Sequence, residues 1–232
     1  MTAVIIMMSG GQFLPAAVMY RQRFKTEFLR SCYIIMKQSD WKIILASASP
    51  RRRELLSQVG LEFECMPSDC EEVITTRVPS EAVSELSLLK AENIAGRLSD
   101  SSDRLLIIGA DTVVALDGMI MGKPRDKAEA AKMLSKLQGR EHSVFTGVTL
   151  IFIRDKKQDK LTFTKETKVR MYPMNEAQIQ EYVDSGEPMD KAGAYAIQGL
   201  CAAYIEGIDG DYNTVVGLPV GEICRILRER ED

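Results

Sequence analysis

KIILASASPRRRELLSQVG, Lys42 to Gly60, passes from an apolar run through serines and a proline into three consecutive arginines. The isoleucine-rich run suits a buried strand, and the rest reads as a helix: Ser49 at the N-cap, Pro50 at the first helical position and Gly60 beyond the end. The anomaly is the run Arg51, Arg52, Arg53 in the first turn. A helix dipole is positive at that end and favours anions, so guanidinium groups there ask for a negative partner. Free backbone N–H groups, the hydroxyls of Ser47 and Ser49 and the forked donors of Arg51 and Arg52 together suit phosphate. Taken alone, RRR reads as a solvated face with Arg51 or Arg53 paired to an acid such as Glu54; the strand–Ser–Pro setting favours a site.

Outward from this stretch, strand and helix signals alternate. FECM (63–66) extends toward the acidic SDCEE, a long helix is expected from about Ser80 to Leu98, and LLIIGADTVVAL (105–116) is a strand that turns at Asp117-Gly118 into MIM, a hairpin signal. Asp126 with Glu129 opens another helix in the manner of a capping box, and Gly139 follows it. SVFTGVTLIFI and KLTFTKETKVRM read as antiparallel strands joined by the charged turn RDKKQDK. Asn175 with Gln178 starts a helix ending near Gly186. A strand around AAYIEG, the turn DGDYN, the run TVVGLP and a C-terminal helix complete the chain. This order predicts an α/β fold with a mixed sheet, one domain over residues 41–232.

Composition narrows the function. A chain of 232 residues with 45% apolar and 27% charged content fits one sizeable globular domain, and a net charge of −3 gives no global pull toward nucleic acid or an anionic membrane. No basic stripe with interleaved aromatics suggests a nucleic-acid partner. The five cysteines are scattered, without a CxxC pair, which argues against a disulfide scaffold or zinc ribbon and for a reducing compartment, the cytoplasm. His142, the one histidine, excludes HExxH zinc chemistry and is expected as a polar residue at a strand start. Residues 1–40 hold apolar patches that fall short of the ~18 residues a membrane helix needs. They carry Arg21, Arg23, Lys25 and Arg30 with no acid before Glu27, as in an organelle presequence; Met36 is the favoured working start. The segment 1–40 is thus expected to be an N-terminal extension, flexible or absent from the working protein.

Four further features carry chemistry. Asp111 lies in a strand so apolar that an ionised carboxylate there needs compensation; metal binding or base catalysis would give it a reason, as would capping a neighbouring loop. Val83, Leu86, Lys90 and Ile94 follow i, i+3, i+7, i+11, so Lys90 interrupts an apolar stripe and either snorkels or points into a polar cleft. GMIMGKP (118–124), which runs into GKPRD (122–126), resembles a Walker A loop but has its glycine spacing one residue short and Pro124 where Ser or Thr belongs; Lys123 could still reach a phosphate, although alone it reads as a surface lysine. Asp69, Glu71 and Glu72 supply hard oxygen donors suited to Mg²⁺ or Mn²⁺, or form a solvated acidic turn.

SASPRR, GADTVV, GKPRD and DKAGAYAIQG, in this order and at these separations, resemble the signature blocks of the Maf family of nucleoside triphosphate pyrophosphatases, from about Lys42 to the C-terminal helix. The resemblance implies a curved mixed sheet flanked by helices, two lobes with a cleft and a homodimer. It implies cleavage between the α and β phosphates of a nucleotide with a divalent cation, Mg²⁺ or Mn²⁺, as nucleotide-pool house-cleaning. By position, Asp111 matches the family's proton acceptor, and Ser47, Arg52, Glu72, Lys90 and Lys123 match its other polar site residues. Glu72 and Asp111 would hold the metal; Ser47, Arg51, Arg52, Lys90 and Lys123 would hold phosphate. Arg51, Thr112 and Gln198 resemble the dTTP/UTP-preferring branch, where the 7-methyl-GTP branch would show SPYR, SDQ and an EG ending. An amide such as Gln198 can donate to and accept from the edge that thymine and uracil share. Such a pocket rejects purines by size and cytosine by donor pattern. Asp190 and Lys191 are expected to shape that side of the cleft. The alternative is a non-catalytic nucleotide-binding regulator linked to cell division arrest.

Overall fold

A computed structural model describes residues 41–99 and 104–230 of the chain. The expected extension 1–40 and the start at Met36 lie outside the described residues.

Seven strands form one mixed sheet. Strand β1 (Lys42–Leu45) lies parallel to β2 (Glu64–Cys65) on one side and to β3 (Leu105–Leu116) on the other. Beyond β3 the neighbours are antiparallel: β5 (Glu141–Arg154), β6 (Lys157–Met171) and the edge strand β7 (Ile205–Asp209). Strand β4 (Met119–Met121) folds back on the end of β3 through Asp117 and Gly118, both at positive φ (52° and 77°), the backbone a tight hairpin demands.

Side-chain alternation sorts β3 between two cores. Leu106, Ile108 and Ala110 join the larger one, with Leu45, Leu134, Val183 and Ile223. Leu105 and Ile107 join a smaller one with Ile44, Ala91 and Ile94. The period of two puts Gly109 and Asp111 on the second face and Thr112 on the first. Helix α1 (Pro50–Gln58) follows β1, and α2 (Pro79–Arg97) lies across β3 and β5. The remaining α-helices among the described residues are α3 (Lys127–Leu137), α4 (Glu176–Asp184), the short α5 (Tyr212–Val216) and α6 (Val220–Glu229).

Helix α2 sits close because two glycines leave room. A Cβ added at Gly109 would lie 2.3 Å from the Ser87 carbonyl oxygen, and one at Gly147 would lie 2.3 Å from that of Val83. Both distances are impossible for real atoms, so the helix backbone rests directly on the sheet.

Three local readings change. The charged turn RDKKQDK is only Asp155-Lys156, at φ 51° and 62°; the ladder runs to Arg154↔Lys157, because a strand with a solvated face accepts charged side chains. The expected strand AAYIEG starts late: Leu200–Tyr204 is a 3-10 helix, and pairing begins at Ile205. The capping box at α3 is half made. Asp126 accepts from Glu129 N at 2.7 Å, but the Glu129 carboxylate turns to Arg125, whose backbone N (2.7 Å) and charged Nε (2.9 Å) are better placed donors. The box at α4, Asn175 with Gln178, forms in full.

His142 is near the start of β5 as expected but is buried at 3% exposure, with Nε2 2.8 Å from the Tyr195 hydroxyl and no partner on Nδ1. Burial pulls its pKa down to about 4. Cys65, Cys70 and Cys201 are free thiols, and no helix among the described residues is long and apolar enough to cross a membrane.

Candidate active site

The site begins at a gap in the sheet. Strand β5 pairs with one edge of β3 from Leu105 to Ala115. On the other edge, β1 pairs with residues 105–108 and β4 with 114–116, which leaves 109–113 without a strand neighbour there among the described residues. The Ala46 N–H donates to Ile108 O at 2.8 Å, and the chain then leaves the sheet through Ser47–Ser49. The gap therefore opens at the carboxyl end of a parallel strand, where α/β folds place their ligand crevices. A cleft of about 660 Å³ occupies it, lined by all nine residues that the family resemblance assigns to the site: Ser47, Arg51, Arg52, Glu72, Lys90, Asp111, Thr112, Lys123 and Gln198. A smaller depression of about 360 Å³, beside Trp41, Phe152 and Arg230, gathers none of them.

Asp111, 8% exposed, lines this cleft from the α2 face of β3. Lys90 reaches it from the apolar stripe of α2: its Nζ stands 2.6 Å from Asp111 Oδ1 and 2.9 Å from Glu72 Oε1. The two pairings differ in weight. Lys90 and Asp111 are each 11% exposed in their side chains, whereas Glu72 is 54% exposed, so solvent screens the second pair far more. Of the acidic triplet only Glu72 joins the cleft; Asp69 instead faces Arg97 at 4.0 Å.

Arg52 is fixed by three elements. Its Nε donates to Gly217 O (2.8 Å), Nη1 to Ser47 Oγ (3.1 Å) and Nη2 to Thr112 Oγ1 (3.2 Å). Those bonds use three of a guanidinium's five N–H groups and leave two for a ligand. Burial lowers its pKa against the opposing pull of Asp111, yet an arginine starts so high that it stays cationic. Ser47 Oγ also accepts from Ser49 N at 3.2 Å, so the phosphate-suited turn is held by its own hydroxyl, and Ser49 makes no side-chain cap.

Thr112 points to the opposite face from Asp111. Thr146 Oγ1 donates to Thr214 O at 2.7 Å, which obliges Thr112 to donate across the 2.9 Å contact between the two hydroxyls while accepting from Arg52. Arg51 approaches Asp190, whose carboxyl burial pushes up but Lys191 and Arg51 hold below its usual range. Lys123 is exposed and follows Gly122, whose carbonyl accepts from Gly193 N at 3.0 Å. Gln198 sits exposed in a turn closed by Gly199 N donating to Ala196 O at 3.2 Å.

Gly109, Gly147, Thr146 and Gly217 build the site as much as the charged residues do, and they escaped the sequence reading. A glycine inside an apolar strand does signal a close backbone approach, and that signal was present at Gly109 and Gly147.

The donor set fits a divalent cation. One buried and one rim carboxylate converge on a single ammonium, so hard oxygens already surround a position that favours positive charge. No group of three or more His, Cys, Asp or Glu among the described residues is placed to hold a metal ion by itself, so the remaining ligands would come from phosphate and water, the usual habit of Mg²⁺.

Residues 42–230 match the model of the family described as Maf-like protein. A dTTP/UTP pyrophosphatase of Agathobacter rectalis is 50% identical over 199 residues, covering 81% of this chain and 97% of that protein. One of Carboxydothermus hydrogenoformans is 48% identical over 188 residues, covering 81% and 98%. The crystal structure of a nucleoside-triphosphatase, dITP/XTP pyrophosphatase, from Mycobacterium abscessus overlays with a TM-score of 0.38 at 18% identity, over 57% of this chain and 75% of that one.

Proposed function

This chain belongs to the Maf-like family, and from that premise we propose that its cleft binds dTTP and UTP and releases the monophosphate and pyrophosphate. The protein is a nucleoside triphosphate pyrophosphatase, a hydrolase of the α–β phosphoanhydride. The observation that carries the reading is the Lys90 ammonium seated between Asp111 and Glu72 in a cleft that also receives the arginine-bearing turn. Carboxylates and cations meeting in one place suit a polyanion and its counter-ion.

In this reading Ser47, the Ser49–Arg51 backbone and the two spare donors of Arg52 hold phosphate oxygens. Lys90 and Lys123 add positive charge that neutralises the triphosphate. Asp111 accepts the proton of a water whose oxygen attacks the α-phosphorus in line. The bond from that phosphorus to the bridging oxygen breaks, and the electron pair leaves with pyrophosphate. Lys90 aims the Asp111 carboxylate through the 2.6 Å contact. A divalent cation held by Asp111 and Glu72, Mg²⁺ or Mn²⁺, would supply charge neutralisation and alignment of the phosphates. Gln198 meets the pyrimidine edge, with Arg51 and Thr112 setting the same side of the cleft, Thr112 acting through Arg52.

A homodimer working in the cytoplasm on nucleotide pools, without nucleic-acid or membrane partners, completes the proposal. Incubation with UTP and Mg²⁺ tests it. Release of UMP and pyrophosphate is expected. Orthophosphate would mean γ-cleavage, and tight binding without turnover would mean a regulator; either would overturn the assignment.

A further inference from the structure

The turn that carries Gln198 is pinned from beneath at both ends by two residues outside the signature blocks. Tyr182 on α4 is 3% exposed, and its hydroxyl accepts from Ala196 N at 3.2 Å while donating to Glu187 Oε1 at 2.7 Å. The other oxygen of that carboxylate accepts from Leu200 N at 3.0 Å. One chain of hydrogen bonds thus runs from Ala196 through the phenol and the carboxylate to Leu200, and the Ala196–Gly199 turn spans the opening of the loop. Bonds to an ionised carboxylate are stronger than neutral ones.

The fit is close. A Cβ at Gly199 would lie 2.1 Å from Glu187 Oε2, so the carboxylate packs directly on the backbone beside Gln198. Glu187 is itself oriented by its backbone N, which donates to Ser185 Oγ at 3.3 Å. Burial and the Glu187 contact push the Tyr182 pKa up, which keeps the phenol proton available for donation. Neither Tyr182 nor Glu187 lines the cleft. Ile197 and Gln198, between the pinned ends, both line it.

We propose that Tyr182 and Glu187 are positioning residues for base selectivity, fixing the 196–199 turn and with it the place of the Gln198 amide. The inference rests on the reading of Gln198 as the group that meets the pyrimidine. A flexible side chain on a turn discriminates between bases only if the turn itself does not move, since one ångström of displacement spoils hydrogen-bond geometry.

The test compares Tyr182→Phe, Glu187→Gln and Gln198→Ala by pyrophosphate release from UTP with Mg²⁺. It also measures inhibition by inorganic tripolyphosphate, which has no base. Tyr182→Phe is expected to raise the KM for UTP about tenfold with kcat within about twofold and an unchanged Ki for tripolyphosphate, the scale of one good hydrogen bond. Glu187→Gln should do the same, and it carries the test if Tyr182→Phe fails to fold. Equal losses for UTP and tripolyphosphate would overturn the proposal, because the pair would then support the whole site. An unchanged KM in both clamp variants while Gln198→Ala is impaired would overturn it and leave the assignment of Gln198 standing. An unchanged KM in all three would overturn both.

Discussion

Lys90 on α2 and Asp111 on β3 meet at 2.6 Å because Gly109, two residues before Asp111 on the same face, has no side chain to hold the helix off. The pair is therefore a product of backbone packing. Its partners belong to different elements, and the distance between those elements is set by an absent methyl group.

Gly109→Ala should destabilise the protein by about 1–3 kcal/mol or more, the range for overpacking a tight core, and should part Lys90 from Asp111. Its Cβ would meet Ser87 O at 2.3 Å and Ala91 Cβ at 2.8 Å. Gly96→Ala, in the same helix with nothing within 4 Å, is the control and should stabilise by about 0.5–1 kcal/mol. Urea midpoints for the two variants check the contrast, and shifts of the same sign would contradict it.

Asp111→Asn keeps the shape of the side chain and removes its basicity. A fall in kcat of about 10²–10⁴, the usual worth of a general base, is expected, with nucleotide binding within about tenfold of normal. Single-turnover rates and equilibrium binding of a non-hydrolysable UTP analogue separate the two effects. Normal turnover would remove Asp111 from the chemistry.

Arg52→Lys retains the charge and loses the fork. The bonds to Gly217, Ser47 and Thr112 cannot all be made by an ammonium at one point. The expected result is a loss of roughly 1–3 kcal/mol of stability and about 10²-fold or more in kcat/KM. Urea denaturation and steady-state kinetics with UTP check both, and wild-type values in the Arg52→Lys variant would show that charge alone suffices.

His142 ties stability to pH. Buried and neutral when folded, it has its pKa lowered from 6.5 to about 4, so between those values the unfolded chain binds more protons. Stability from this group is full above pH 6.5, falls as pH drops and stops falling below about pH 4, a loss of roughly 3 kcal/mol. Denaturation curves at pH 7 and pH 4 should show that slope in the native protein and a shallower one in His142→Asn. Equal slopes would exclude the histidine as the cause.

The sequence made local features visible where one residue clashed with its own pattern. Lys90 in an apolar stripe and Asp111 in an apolar strand were each costly unless paired, and the structure pairs them. Arginines at a helix start pointed to an anion, and that turn does line the cleft. What stayed hidden depends on distant neighbours. Nothing near Arg52 announces a bond to Gly217, 165 residues away, or to Thr112, 60 away. Tyr182 was lost for the opposite reason: with Ile179 and Val183 it completes the buried side of α4, so its ring explains its presence and conceals the task of its hydroxyl.

The interval between β1 and β4 along β3 makes a ruler of the main chain. Five residues of strand, 109–113, span about 17 Å, and that aperture is framed by backbone at both ends. Substituting wall residues can change how firmly a molecule is gripped, whereas the far end of the aperture is set by where the three-residue β4 docks. Lengthening the Asp117-Gly118 turn, and so sliding β4 along β3, is thus the route by which this scaffold would come to accept a longer or shorter guest.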